Sequence, residues 1–427
     1  MLFSHFFHVG LLSVFVGGSN GSVLKRTDGN HWVDTWASMP QLCEPGNLPP
    51  APFTQTGAVF EDSTIRQTLH MSIGGPSIRI RLSNAFGVSD LSITAVTVAL
   101  PAKGLAGVSA IVPNTVKPVT FSGSNSYIVP NGGLIVSDPI DLKVEAQSML
   151  TVTIYLADGQ KSSSNAVTAH TGSRTDSWLS KGNQVSALSF TDPSSVSVAH
   201  WYYVSAVEVY VPQTSRAFVI VGDSITDGRG SDTNQNNRWP DRVLKKMQLN
   251  PSTANIAVIN QGAGGNRILH DGLGPSAFSR IDRDVFGHSG VAYAMIFEGV
   301  NDIAGPTDPT TQKQIGDRLI ASFTQIAIRV KTFNMPVFAA TITPFSAPGY
   351  DVSKASYSNP EREKTRQRIN EWIRTSGTFD HVLDFDKWLR NETNPSQMIE
   401  DYHDGDYLHP NAKGYQRIAD MFPLDIF

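Results

Sequence analysis

In 427 residues there is one cysteine, Cys43. No intrachain disulfide can form, so packing and hydrogen bonding must hold the fold, and nothing in "PQLCEPGN" supplies a base that would make the thiol a nucleophile. Charge of one sign is equally scarce: 34 Lys and Arg stand against 38 Asp and Glu, a formal net charge of −4, with no basic run or stripe. That excludes the electrostatic footprint a nucleic-acid backbone requires. The apolar opening segment "MLFSHFFHVGLLSVFVGGSNGS" is too short to span a bilayer and runs into small residues, the pattern of a secretory signal peptide. Lys25-Arg26 follows it and predicts removal of a short propeptide, which makes the mature protein secreted, without a membrane anchor. The sequon Asn391-Glu392-Thr393 fits an extracellular glycoprotein.

What is present divides into two periods. From about His31 to Pro212 apolar residues alternate with polar ones, as Ile78, Ile80 and Leu82 do with Arg79 and Arg81 in "SIRIRLS". This predicts an antiparallel β-sandwich domain over residues 27–212, after a signal and propeptide at 1–26. From 213 to 427 the apolar runs "AFVIV", "NIAVIN", "VAYAMIFEG", "PVFAATIT" and "HVLDF" are interleaved with helical patterns near Trp239–Met247, within Gln312–Lys331, near Glu361–Arg374 and after Pro410, the pattern of an α/β domain with a parallel sheet between helical layers.

Chemistry-bearing residues gather where those strands should end. "AFVIVGDSITDG" runs into Ser224; "NIAVIN" runs into "QGAGGNR", with Gly262, Gly264 and Gly265; "AYAMIFEG" runs into Asn301 and Asp302; and "DYHDGDYLHP" sets Asp406 three residues before His409. The carboxyl ends of parallel strands form the rim where ligands bind in open α/β sheets. These residue types suit acyl transfer. A serine needs a base such as His409, a carboxylate such as Asp406 would hold that imidazole's tautomer, and N–H groups of Ser224, Gly265 and Asn301 could bind an oxyanion.

"GDSIT", "GAGGN", "GVND" and "DYLH" resemble, in order, the sequence blocks of the GDSL or SGNH hydrolases. The resemblance implies a three-layer, flavodoxin-like catalytic domain with Ser224 as nucleophile, Asp406 and His409 completing the triad, and Ser224, Gly265 and Asn301 forming the oxyanion hole. It implies no cofactor and no metal. Upstream, "WVDTWASM", "IRIRLSNAFG" and "HWYYVSAVEVYV" are similar to the β-rich region of secreted members related to xylanase-associated acetylesterases. The expected activity is therefore hydrolysis of short acyl esters, acetyl above all, on hydroxyl-rich substrates such as plant polysaccharides. Trp32, Trp36, Trp178 and Trp201 could stack on sugars or pack in the core.

Other readings remain open on the residues alone. Family members acting on longer acyl chains share these blocks, and an acyltransferase would use the same acyl-enzyme. Asp401, His403, Asp404, Asp406 and His409 could together ligate a divalent ion, which would leave Ser224, Gly265 and Asn301 without a role. An α/β-hydrolase elbow would need glycine two residues after the serine, where Thr226 stands. A reading from another class is a glycan-binding protein that has lost its chemistry, although no catalytic residue is missing.

Overall fold

The computed structural model describes residues 29–427; the signal-like segment and the Lys25-Arg26 pair lie outside the described residues. In the second half, β1 (Arg216–Gly222), β2 (Ile256–Gly262), β3 (Val291–Phe297), β4 (Val337–Ala340) and β5 (His381–Leu383) form a wholly parallel sheet ordered β2-β1-β3-β4-β5. That is the flavodoxin-like order of a doubly wound sheet, whose switch point lies at the ends of β1 and β3. The helices that matter for the site are α1 (Ser224–Asp227), α2 (Trp239–Gln248), α3 (Ala277–Ile281), α4 (Val300–Ile303), α5 (Pro309–Thr332), α6 (Pro360–Thr375), α7 (Phe385–Leu389) and α8 (Ala412–Met421).

The near-continuous apolar strands follow from burial on both faces. Because successive side chains point to opposite sides, Ala217, Val219 and Val221 of β1 join one core with Ala257 and Ile259 of β2 and Ala294 and Ile296 of β3. Phe218, Ile220, Val258, Met295 and Phe297 join a second core on the other side. Leu319 and Phe323 of α5 and Ile369 and Ile373 of α6 cover the first face. Val243 and Met247 of α2 and Tyr415 and Ile418 of α8 cover the second. The result is three layers.

Residues 30–212 form antiparallel sheets. One has six strands, ordered 196–198, 177–181, 63–70, 149–156, 95–99 and 117–118, and another has four, ordered 30–37, 204–212, 78–83 and 134–136. The expected alternation is visible in the strand Ile78–Ser83: Ile78, Ile80 and Leu82 are buried in the core, while Arg79 and Arg81 both reach Glu208 on the opposite face. Trp36 and Trp201 are interior residues packed edge to face at 4.9 Å, so neither is a platform for a sugar ring. Cys43 is buried, and burial together with the charge of Glu44 pushes its thiol up to about 12, far from the thiolate a nucleophile needs.

The two halves differ in strand direction but not in core. The cluster that covers one face of the parallel sheet also contains Val33, Ile80, Leu82, Val207 and Val209 from the antiparallel strands. Hydrogen bonds stitch the same boundary: Ser72 Oγ–H donates to Val258 O at 2.8 Å and Asp34 N–H to Ser289 O at 3.0 Å. Gly290, at φ +75°, lies so close to Val33 that a Cβ there would sit 2.7 Å from Val33 Cγ2, so only glycine permits this approach. A shared core predicts shared unfolding. Ile259→Ala, in the face of β2 turned toward that core, should cost about 2–5 kcal/mol and lower the midpoint of one calorimetric transition for the whole molecule. Two resolved transitions, of which only one moves, would contradict the shared core.

Candidate active site

The nucleophile candidate is set by a tight strand-to-helix turn. At Gly222 a Cβ would lie 2.2 Å from Thr226 Oγ1, so glycine lets the first turn of α1 fold back onto the strand end. Asp223 caps that helix by accepting a hydrogen bond from Ile225 N–H at 2.9 Å. Ser224 is thereby held at the first helical position, where the backbone N–H has no intrahelical acceptor. Thr226, the residue that departs from an α/β-hydrolase elbow, is the one packed against Gly222.

The structure brings together Ser224, Asp406 and His409. Ser224 Oγ is 2.8 Å from His409 Nε2, and His409 Nδ1 is 2.6 Å from Asp406 Oδ2. The other carboxylate oxygen, Oδ1, accepts from Leu408 N–H at 2.9 Å and His409 N–H at 2.8 Å. This pattern puts the ring proton on Nδ1 and leaves Nε2 to accept from the serine. Burial pushes the Asp406 carboxyl up, but the hydrogen bond and charge of His409 and the two backbone N–H groups outweigh it and hold the group well below the usual carboxylate range. Asp406 is thus a fixed negative charge, suited to steadying an imidazolium. Asp404 next to it is raised, by burial and then by the charge of Asp406.

Asn301 is the second residue of α4, which follows the end of β3 after Gly299 at φ +107°. Its amide is held from both ends: Nδ2 donates to Asn266 O at 2.8 Å, and Oδ1 accepts from Tyr357 O–H at 2.7 Å. Those partners fix which end is nitrogen, and they leave Nδ2 a second N–H for the site. Gly265 adopts φ +65° in the loop after β2. Asp302 steadies the same loop, accepting from Ile268 N–H and Leu269 N–H, each at 2.9 Å. Serine hydroxyl, imidazole, carboxylate and preset N–H donors together can carry out acyl transfer.

Residues 220–417 match the GDSL-like lipase/acylhydrolase family. This part of the chain is a GDSL-like acylhydrolase domain. The protein is accordingly a carboxylic ester hydrolase. An acetylxylan esterase from Geobacillus stearothermophilus is similar in structure at 19% identity, with 49% of this chain and 94% of that chain covered and a TM-score of 0.36. A GDSL-like lipase from Bacteroides thetaiotaomicron is similar at 17% identity, over 49% of this chain and 87% of that chain, with a TM-score of 0.35. No curated protein matches the chain.

Around the acylhydrolase site the structure adds partners that the sequence did not disclose. His170, from the antiparallel region, faces Met39 O through Nδ1 at 2.9 Å and Asp227 Oδ1 through Nε2 at 2.8 Å, pinning the end of α1 that begins at Ser224. His288 makes a similar bridge, from Asp34 through Nδ1 to Gln261 on β2 through Nε2. Of the five residues that could have formed a cation site, only Asp404, Asp406 and His409 have ligand atoms near one another, within 4.8 Å among the described residues. His409 already spends both ring nitrogens on Ser224 and Asp406. His403 packs against Tyr407 with the rings tilted, and Asp401 lies by Lys413.

Tyr357 gives the sharpest local test. Tyr357→Phe removes the donor that fixes Asn301 Oδ1 and touches nothing in the Ser224–His409–Asp406 chain. It should lower kcat about tenfold with KM little changed, a fraction of the cost that removing an oxyanion-hole donor typically carries. An unchanged kcat would show that Asn301 holds its orientation without the tyrosine.

Proposed function

We propose that Ser224 attacks an ester carbonyl carbon while its proton passes to His409 Nε2, and that Asp406 stabilises the resulting imidazolium. In this reading the tetrahedral oxyanion takes hydrogen bonds from Ser224 N–H, Gly265 N–H and Asn301 Nδ2–H. Collapse breaks the ester C–O bond, His409 returns the proton to the leaving alkoxide, and an acyl-Ser224 ester remains. Water then repeats the sequence, deprotonated by His409, and releases the acid. The observation that carries this proposal is the unbroken hydrogen-bond chain from Ser224 Oγ through His409 to Asp406.

We infer further that the acyl group is short, acetate first, and that it leaves a hydroxyl-rich partner such as a plant polysaccharide outside the cell. Leu273 supports the short acyl chain. Its Cδ1 lies 3.1 Å from where a Cβ on Gly265 would stand, filling space beside the proposed oxyanion donor. The loop is tied there: Gln41 Nε2–H donates to Leu273 O at 3.3 Å, and Asn266 Nδ2–H to Pro275 O at 2.8 Å. The apolar start of the sequence and the Lys25-Arg26 pair support secretion.

The test compares kcat/KM on acetyl, butyryl and decanoyl esters of one leaving group, then measures acetate released from acetylated xylan. We expect acetyl to lead and decanoyl to trail by at least about a hundredfold, several methylenes' worth of discrimination, with acetate released from the polymer. A preference for decanoyl with no acetate from xylan would overturn the substrate reading and promote a long-chain acylhydrolase.

A further inference from the structure

Asn301 is aimed by a carbonyl as well as by Tyr357, and that carbonyl belongs to Asn266, a residue with no solvent exposure. Asn266 is held in turn by one arginine. Arg280, on α3, is buried with its side chain fully enclosed. Its Nε–H and Nη2–H both donate to Asn266 Oδ1, at 3.2 and 2.9 Å. Its Nη1–H donates to Gln261 O at the end of β2 and its Nη2–H to Gly222 O at the end of β1, at 2.8 and 3.2 Å. One planar guanidinium therefore spans the nucleophile strand, the glycine-loop strand and the residue just past Gly265.

We propose that Arg280 is a positioning residue for the oxyanion hole, acting through Asn266 on the Asn301 amide. The proposal rests on Asn301 being an oxyanion donor. Ion pairing alone does not explain the arrangement. Asp284 Oδ2 meets Nη1 at 2.9 Å and Glu298 Oε1 lies 3.5 Å from Nη2, yet the Nε edge and the second bond of Nη2 are spent on a neutral amide oxygen. A charge-neutralising role could be filled by a lysine, whereas joining two main-chain carbonyls and the Asn266 amide oxygen at once needs the fixed fork of an arginine. Asn266 is fitted to transmit the constraint. Its side chain is fixed at Oδ1 by Arg280 and at Nδ2 by Pro275 O at 2.8 Å, so its own carbonyl has one orientation.

A double-mutant cycle on the full chain separates this from a structural role. Arg280→Lys and Asn266→Ala are each made alone and in an Asn301→Ala background, and kcat and KM are measured on a short-chain ester. In the otherwise native protein each should lower kcat about tenfold with KM within about twofold; in the Asn301→Ala background each should lower kcat by less than about twofold, because the donor they aim is gone. The same slowing factor in both backgrounds would overturn the proposal and leave Arg280 as a general support of the fold. If Arg280→Lys does not fold, Asn266→Ala carries the same comparison, since it severs the link without removing the buried charge. Should Asn301→Ala itself turn over at the wild-type rate, the oxyanion assignment fails and this proposal with it, an outcome distinct from additive slowing.

Discussion

A strand whose two faces are both buried can carry polar side chains only where it ends. In the parallel sheet the interior positions of β1, β3 and β4 are apolar because nearly all of their side chains enter one of the two cores, and the first residues free to be polar lie at the carboxyl rim. Asp223 and Ser224 follow β1, Gly265 and Asn266 follow β2, and Asn301 and Asp302 follow β3, three strands that are neighbours in the sheet. The late "DYLH" segment completes the group from the start of α8, bringing His409 across 185 residues to Ser224. Burial thus decides where the chemistry can be, and tight turns at Gly222 and Gly299 decide which way it faces.

Much of this could be read in the sequence because apolar runs and breaks in period are local signals. The five parallel strands and the change of architecture after Pro212 follow from such signals, while the blocks around Ser224, Asp406 and His409 marked residues that the structure joins by hydrogen bonds. What escaped reading depends on long-range contact. Tyr357 sits in "SYSNP", which carries no period and no motif, yet its hydroxyl fixes Asn301 across 56 residues. Arg280 looks like an ordinary charged residue of a short helix until its buried partners are seen. His170 and Asp227, 57 residues apart, are likewise joined only in space. The aromatic residues divided in a way composition could not foretell, with Trp36 and Trp201 turned into the core.

The antiparallel region is more than an appendage. It shares the apolar core on one face of the parallel sheet, and its polar contacts fall on the elements that carry the site: His170 on α1, Asp34 through His288 on β2, Gln41 on the loop beside Gly265. Buried polar contacts of this kind add little net stability but penalise any other arrangement, because a displaced partner would be left unpaired. They make the position of Ser224 a property of both halves of the chain.

The central claim is that Ser224 is the acyl-accepting atom, activated by His409. Its most direct test is reaction with a small serine-directed phosphonate, followed by mass spectrometry of the digested protein. The account predicts one adduct, on the peptide carrying Ser224, with complete loss of esterase activity at one equivalent bound and much slower labelling in His409→Ala. Stoichiometric inactivation with the adduct on any other residue, or full esterase activity in a protein fully labelled at Ser224, would contradict it.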